Sequence, residues 1–127
     1  MLLNDISGEI VDAAITIHRE LGPGLLESVY EVVLAHELKN RNLRIERQVA
    51  VPIEYRGLRF DEGYRLDLLV EDIVVVEIKS VEELNDVHKK QLLTYLRLKN
   101  KPLGLLLNFN VNLMKEGIVR IANGIPE

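Results

Sequence analysis

Three charged side chains fall where a strand hairpin would gather them: Asp67 in Tyr64-Arg65-Leu66-Asp67-Leu68-Leu69-Val70, and Glu77 and Lys79 in Ile73-Val74-Val75-Val76-Glu77-Ile78-Lys79. Both runs have the apolar, β-branched content of strands, and Glu71-Asp72 between them marks a turn. Which residues share a face depends on the register. With Asp67 opposite Glu77, the loop is Glu71-Asp72-Ile73, Val70 pairs with Val74, and Arg65 pairs with Lys79. One face is then Leu66, Leu68, Val70, Val74, Val76 and Ile78, and the other collects Arg65, Asp67, Glu77 and Lys79 beside Leu69 and Val75. A two-residue turn would shift the register by one and mix charged with apolar residues on both faces, at roughly 1.5–3 kcal/mol for each large side chain exposed. The three-residue loop is the expectation.

Two carboxylates on neighbouring strands repel, and burying either one unpaired costs several kcal/mol, so the arrangement calls for a cation. A hard divalent ion suits it: Mg²⁺ prefers oxygen ligands, keeps several waters, and is held by one or two carboxylates with substrate phosphate completing the shell. Lys79 shares its strand face with Glu77, where an ammonium can orient a water, help deprotonate it, or stabilise charge growing on a phosphate. The backbone carbonyl of Ile78 is available as a ligand between them. The plainer account of Glu77 and Lys79 is a salt bridge along an exposed strand.

The elements that must position these groups follow from periodicity. Asn4 or Asp5 can cap a helix in which Ile6, Ile10, Ala13, Ile17 and Leu21 form one buried stripe, ending at Gly22. Gly22-Pro23-Gly24 turns the chain sharply; no strand precedes it, so a turn is favoured over a phosphate cradle. A second helix from about Leu25 to Asn40 aligns Glu27 with Tyr30, Leu34 and Leu38. A first-turn acid suits the helix dipole, yet this one points along an apolar line. From Ile45 the period becomes two, through Val49, Val51, Ile53 and Tyr55, with Arg56-Gly57 as a turn into Leu58 and Phe60. After the hairpin, Val81 to Asn100 is helical again, and Leu103 to Phe109 reads as a strand covered on both faces. Residues 117–122 add an edge strand.

The chain has 127 residues, 47% apolar and 28% charged, which predicts one globular domain over 1–127. No apolar run approaches the length of a bilayer span and no secretory leader is visible, so the expectation is a cytoplasmic protein with no membrane partner. The absence of cysteine excludes disulfides, thiolate zinc sites and an iron–sulfur cluster. A formal charge of −4 argues against sequence-blind affinity for a polyanion, but the charge is uneven: −5 over 1–40, +3 over 41–60, −4 over 61–80 and +2 over 81–101. His88, Lys89, Lys90, Arg97, Lys99 and Lys101 could track a phosphate backbone or serve solubility alone. His18, His36 and His88 lack metal-ligand spacing and are placed on polar helix faces.

Asp67, nine residues, then Glu77-Ile78-Lys79 resembles the D…(D/E)xK signature of the PD-(D/E)XK nuclease superfamily, on a hairpin between helices as that fold places it. Gly24-Leu25-Leu26-Glu27-Ser28-Val29-Tyr30 matches the G-x-x-E-x-x-Y motif that names the GxxExxY proteins of that superfamily, and the resemblance covers nearly the whole chain. Gln91-Leu92-Leu93-Thr94-Tyr95 is similar to the Q-x-x-x-Y element of its RecB-like branch. The resemblance implies an α/β fold with a mixed central sheet of about four strands flanked by helices, in the order α-α-β-β-β-α-β. It implies Glu27, Asp67 and Glu77 as ligands of Mg²⁺ or Mn²⁺, with Lys79 as the catalytic lysine. Gln91 and Tyr95 would contact substrate or brace Lys79, and Tyr30 would hydrogen-bond a ligand carboxylate. Leu66 stands where the superfamily name has proline, which leaves the acid in place.

The function expected is metal-dependent phosphodiester hydrolysis in nucleic acid, DNA rather than RNA, with a homodimer as one way to build enough basic surface. The alternatives are a non-catalytic or partner-dependent module of the same fold binding nucleic acid or protein, and a small-nucleotide phosphodiesterase, which suits a negative surface better than a groove does.

Overall fold

The computed structural model describes residues 1–125; Pro126 and Glu127, the end of the domain expected over 1–127, lie outside the described residues. Helix α1 spans Leu3–Leu21 and buries one stripe of Ile6, Ile10, Ala13, Ala14 and Ile17. It begins before the capping residues expected: Asp5 lies inside the first turn, where its carboxylate accepts the Leu2 N–H at 3.2 Å, and the Asn4 side chain accepts from Arg120 at 3.0 Å. His18 is also not on a polar face. It is buried, with Nε2 2.8 Å from the Val111 carbonyl, because the segment between the last two strands of the sheet folds back over the end of α1. Gly22 ends the helix at φ 72°, a conformation its missing Cβ permits.

Helix α2, Glu27–Asn40, packs on α1 through Tyr30, Leu34, Ala35 and Leu38. The strand expected from Ile45 to Tyr55 is divided at Pro52, which has no N–H to give a ladder. Strand β1, Ile45–Ala50, enters the central sheet, whereas β2, Ile53–Tyr55, and β3, Leu58–Phe60, form a separate two-stranded hairpin. Strands β4, Arg65–Val70, and β5, Val74–Lys79, are followed by helix α3, Asp86–Lys99, and strand β6, Leu103–Asn108. A 3₁₀ turn at Met114–Gly117 leads into β7, Ile118–Ala122.

The central sheet has five strands in the order β1-β4-β5-β6-β7, one more than about four, because the edge strand near residues 117–122 pairs antiparallel with β6. Only the β5–β6 pair is parallel within this sheet. Helices α1 and α2 cover one face over Leu68, Val70, Val74, Val76 and Ile78; α3 covers the other over Leu69, Val75 and Leu106. The architecture is therefore the mixed α/β sandwich expected.

The β4–β5 register is Leu68 to Val76, Leu69 to Val75 and Val70 to Val74, the three-residue loop required by the burial argument. Glu71 and Asp72 take left-handed φ values of 53° and 56° to close it. One face assignment fails. Leu66 packs with the α3 layer rather than beside Leu68, since alternation breaks at this level of the sheet: Gln48, between the Arg47–Leu68 and Val49–Leu66 pairs, has φ 54°. Ile45 accordingly packs toward α1 and α2 while Val49 packs toward α3. The irregular step lies opposite Asp67.

Candidate active site

Asp67 and Glu77 meet where this irregular step and the end of β5 coincide. One Asp67 oxygen, Oδ2, accepts the Ile78 N–H at 2.7 Å, which fixes the carboxylate across the hairpin. Glu77 is buried, and its Oε1 has no hydrogen-bond partner among the described residues. Burial, the Asp67 charge and a hydrogen bond with Asp67 push the Glu77 carboxyl from 4.5 up to about 9, with Lys79 pulling through space in the opposite direction. The two acids and the lysine thus sense one another.

Glu27 lies outside that pair. It is exposed in the first turn of α2, and its Oε2 accepts the Ser80 N–H at 3.0 Å, while Ser80 Oγ donates to the Leu25 carbonyl at 2.8 Å. These bonds pin the start of α2 to the residue after Lys79, beside a groove of about 700 Å³ that Glu27, Ser80 and Asn110 help to line. Among the described residues, no three His, Cys, Asp or Glu side chains form a group able to hold a metal ion.

Tyr30 is fully buried and stacks on Phe109, ring centroids 4.3 Å apart and planes 8° from parallel. Its hydroxyl donates to the Gly22 carbonyl at 2.5 Å and accepts the Leu25 N–H at 3.2 Å, so it braces the loop leading to Glu27 instead of a carboxylate. On α3, Gln91 Nε2 donates to the Tyr64 hydroxyl, and the Tyr64 ring leans on Tyr95 at 4.5 Å and 52°. The Tyr95 hydroxyl is buried without a partner among the described residues.

Sequence reasoning missed the residues that hold the ends of the strands. Asn108 accepts the Val81 and Asn110 N–H groups at 3.1 and 3.2 Å and donates to the Val81 carbonyl at 2.9 Å, clamping the turn after Lys79. Neither Ser80 nor Asn108 carries a spacing signal, because each satisfies backbone groups remote in sequence. In the sequence Tyr64 carries no signal beyond the start of a strand. Glu31 was also passed over: buried on α2, it accepts from Arg47 at 3.1 and 2.9 Å and from Gln48 at 2.7 Å.

A family model of the PD-(D/E)XK nuclease superfamily matches residues 4–121. The chain belongs to the PD-(D/E)XK nuclease superfamily. No curated protein and no solved structure matches it. Membership points to a metal-dependent nuclease with a nucleic-acid substrate, and no described helix is long and apolar enough to cross a membrane. The residues at the hairpin suit the divalent cation that PD-(D/E)XK nucleases generally use. The donors are hard oxygens, and a cation would satisfy both the unpartnered Glu77 Oε1 and the charge repulsion between Glu77 and Asp67.

Proposed function

We propose that this PD-(D/E)XK chain is a Mg²⁺- or Mn²⁺-dependent phosphodiester hydrolase acting on DNA, a cytoplasmic member of the GxxExxY group with RecB-like character at Gln91 and Tyr95. The observation that carries the reading is the buried Glu77 beside Asp67 with one carboxylate oxygen unpartnered. A buried acid that merely stabilised the fold would have its oxygens satisfied.

Asp67 and Glu77 would hold the ion, with the Ile78 carbonyl as a further oxygen ligand and Glu27 approaching from α2 through the Ser80 turn. A bound divalent ion supplies charge neutralisation at the phosphate and makes water more acidic. The remaining work falls to the protein. The hydrogen bond from Ile78 holds Asp67 in one orientation, and burial of Glu77 keeps bulk water from its carboxyl. Lys79, on the same strand face, orients the attacking water and stabilises negative charge on the phosphate oxygens as the P–O ester bond breaks. Gln91 and Tyr95 set the wall on the α3 side.

The lack of a three-acid group among the described residues favours a second reading, a cation-stabilised binding module without turnover. Calorimetry with Mn²⁺ and cleavage of labelled DNA separate the two. The hydrolase binds Mn²⁺ in a manner abolished by Asp67→Asn and cleaves DNA in a manner abolished by Lys79→Ala with binding of Mn²⁺ retained. Normal Mn²⁺ binding with no cleavage of DNA, RNA or nucleotides selects the module.

A further inference from the structure

We propose that the β2–β3 hairpin is a strand-gripping finger: Tyr55 stacks an unpaired base, and Arg56 and Arg59 neutralise the flanking phosphates, on a path that continues along α3. The inference rests on the nucleic-acid reading above. Its first support is where uncommitted positive charge lies. In the net-positive stretch 41–60, Arg41 is bonded to Glu9, Asp12 and Glu37, Arg44 to Glu71, and Arg47 to Glu31. Arg56 and Arg59 have no ion pair among the described residues. In the second net-positive stretch, Lys101 is held by Asp72, whereas Lys89, Lys90, Arg97 and Lys99 have no ion pair among the described residues.

The fold then joins the two stretches. Arg59 and Lys99 line one cleft of about 360 Å³ between the hairpin and the end of α3, with Glu54 offsetting part of the charge. Lys90 and Arg97, both exposed, lie about half a turn around α3 from Lys99, so the path from the cleft toward Gln91 starts at Lys99 alone. Lys99 lies eight positions after Gln91, about 12 Å along the helix axis, which is roughly two to four nucleotides of a single strand.

The second support is the hairpin tip. Tyr55 and Leu58 are cross-strand partners on one face and are 59% and 61% exposed. The Arg56 guanidinium lies 5.3 Å from the centroid of the Tyr55 ring. The turn that presents them is tight, with φ of 46° at Arg56 and 86° at Gly57. An exposed ring beside an arginine can stack on a base only when that base is unpaired, so the partner is a single strand rather than a duplex. Arg59 faces away from Tyr55 across the ladder, so the strand passes over the turn at Arg56 on its way to the cleft.

The test is fluorescence anisotropy of a labelled oligothymidylate without divalent ion, with cleavage in Mn²⁺ followed separately. Tyr55→Ala should weaken binding about 10-fold while Tyr55→Phe retains it. Arg56→Ala with Arg59→Ala should lower the slope of log K against log salt by about 1.4, roughly 0.7 per phosphate contact, where Lys39→Ala leaves it unchanged. All these side chains lie at the surface, and unchanged melting temperatures confirm folding. Variants that bind like the wild type, or a wild type that binds no strand, overturn the proposal. Unchanged affinity with cleavage intact leaves the hydrolase standing without its finger. Hairpin-dependent binding without cleavage under any condition upholds the finger and sinks the hydrolase.

Discussion

Glu31 and Glu77 are each 6% exposed, and they are treated in opposite ways. Glu31 receives three hydrogen bonds from Arg47 and Gln48, so its charge is compensated inside the protein. Glu77 is set beside another acid, keeps one oxygen without a partner, and has its carboxyl pushed up to about 9. Burial alone therefore does not mark a functional acid. What distinguishes Glu77 is crowding of negative charge against Asp67, offset only through space by Lys79, together with one oxygen that no group among the described residues satisfies, an arrangement suited to a cation ligand.

The largest effect expected from this contrast is on activity and ion binding. Glu77→Gln or Asp67→Asn should lower cleavage by ~10³-fold or more and remove Mn²⁺ binding by calorimetry, while Glu31→Gln should leave Mn²⁺ affinity within a few fold. Equal losses from both glutamates would erase the distinction.

Stability should next show the opposite sign at the two sites. Because the folded-state value for Glu77 lies above 4.5, the folded protein binds more protons than the unfolded chain between 4.5 and about 9. Without divalent ion, stability is full below the lower value and declines as pH rises toward the upper one. Glu77→Gln should flatten that decline and raise stability near neutral pH by ~3 kcal/mol in urea titrations, as should saturating Mg²⁺ added to the wild type. Glu31→Ala should instead cost ~2–3 kcal/mol, reduced from the fully buried case because Arg47 is partly exposed. A wild type whose stability rises with pH over this range would contradict the assignment of Glu77.

The smallest effect sharpens the comparison with an uncharged group. Tyr95 also buries an oxygen without a partner, but a neutral one. Tyr95→Phe should change stability by ~1 kcal/mol or less, without pH dependence, when melted across the same pH range. A large loss would mean that the hydroxyl is satisfied in solution.

Much of this was legible in the sequence because alternation fixes faces. The run from Leu66 to Ile78 admitted one economical register, which the ladder keeps from Val70–Val74 to Leu68–Val76; beyond it the expected Asp67–Glu77 pair is replaced by Asp67 accepting the Ile78 N–H. Alternation could not reveal its own failure at Leu66, since the left-handed step occurs at Gln48 on a different strand. Pro52 was a visible break whose consequence, a hairpin outside the sheet, depends on tertiary pairing. Glu27 stood out as an acid in an apolar line, yet its bond to Ser80 was not readable, because the acceptor's partner is a backbone amide 53 residues away. His18 looked polar by its neighbours and is buried by a segment more than ninety residues downstream.

The single parallel pairing in the five-stranded sheet has a consequence of its own. Strands β5 and β6 end at the same edge, but the chain leaves β5 toward α3 on one face and leaves β6 toward the 3₁₀ turn that packs on α1 at the other. Two exits that diverge to opposite sides leave a gap between them, and the groove lined by Glu27, Ser80 and Asn110 lies there. Connectivity therefore supplies the vacancy before any particular side chain is chosen, and changes of chemistry at this edge can be made by replacing residues on its rim without redrawing the path of the backbone.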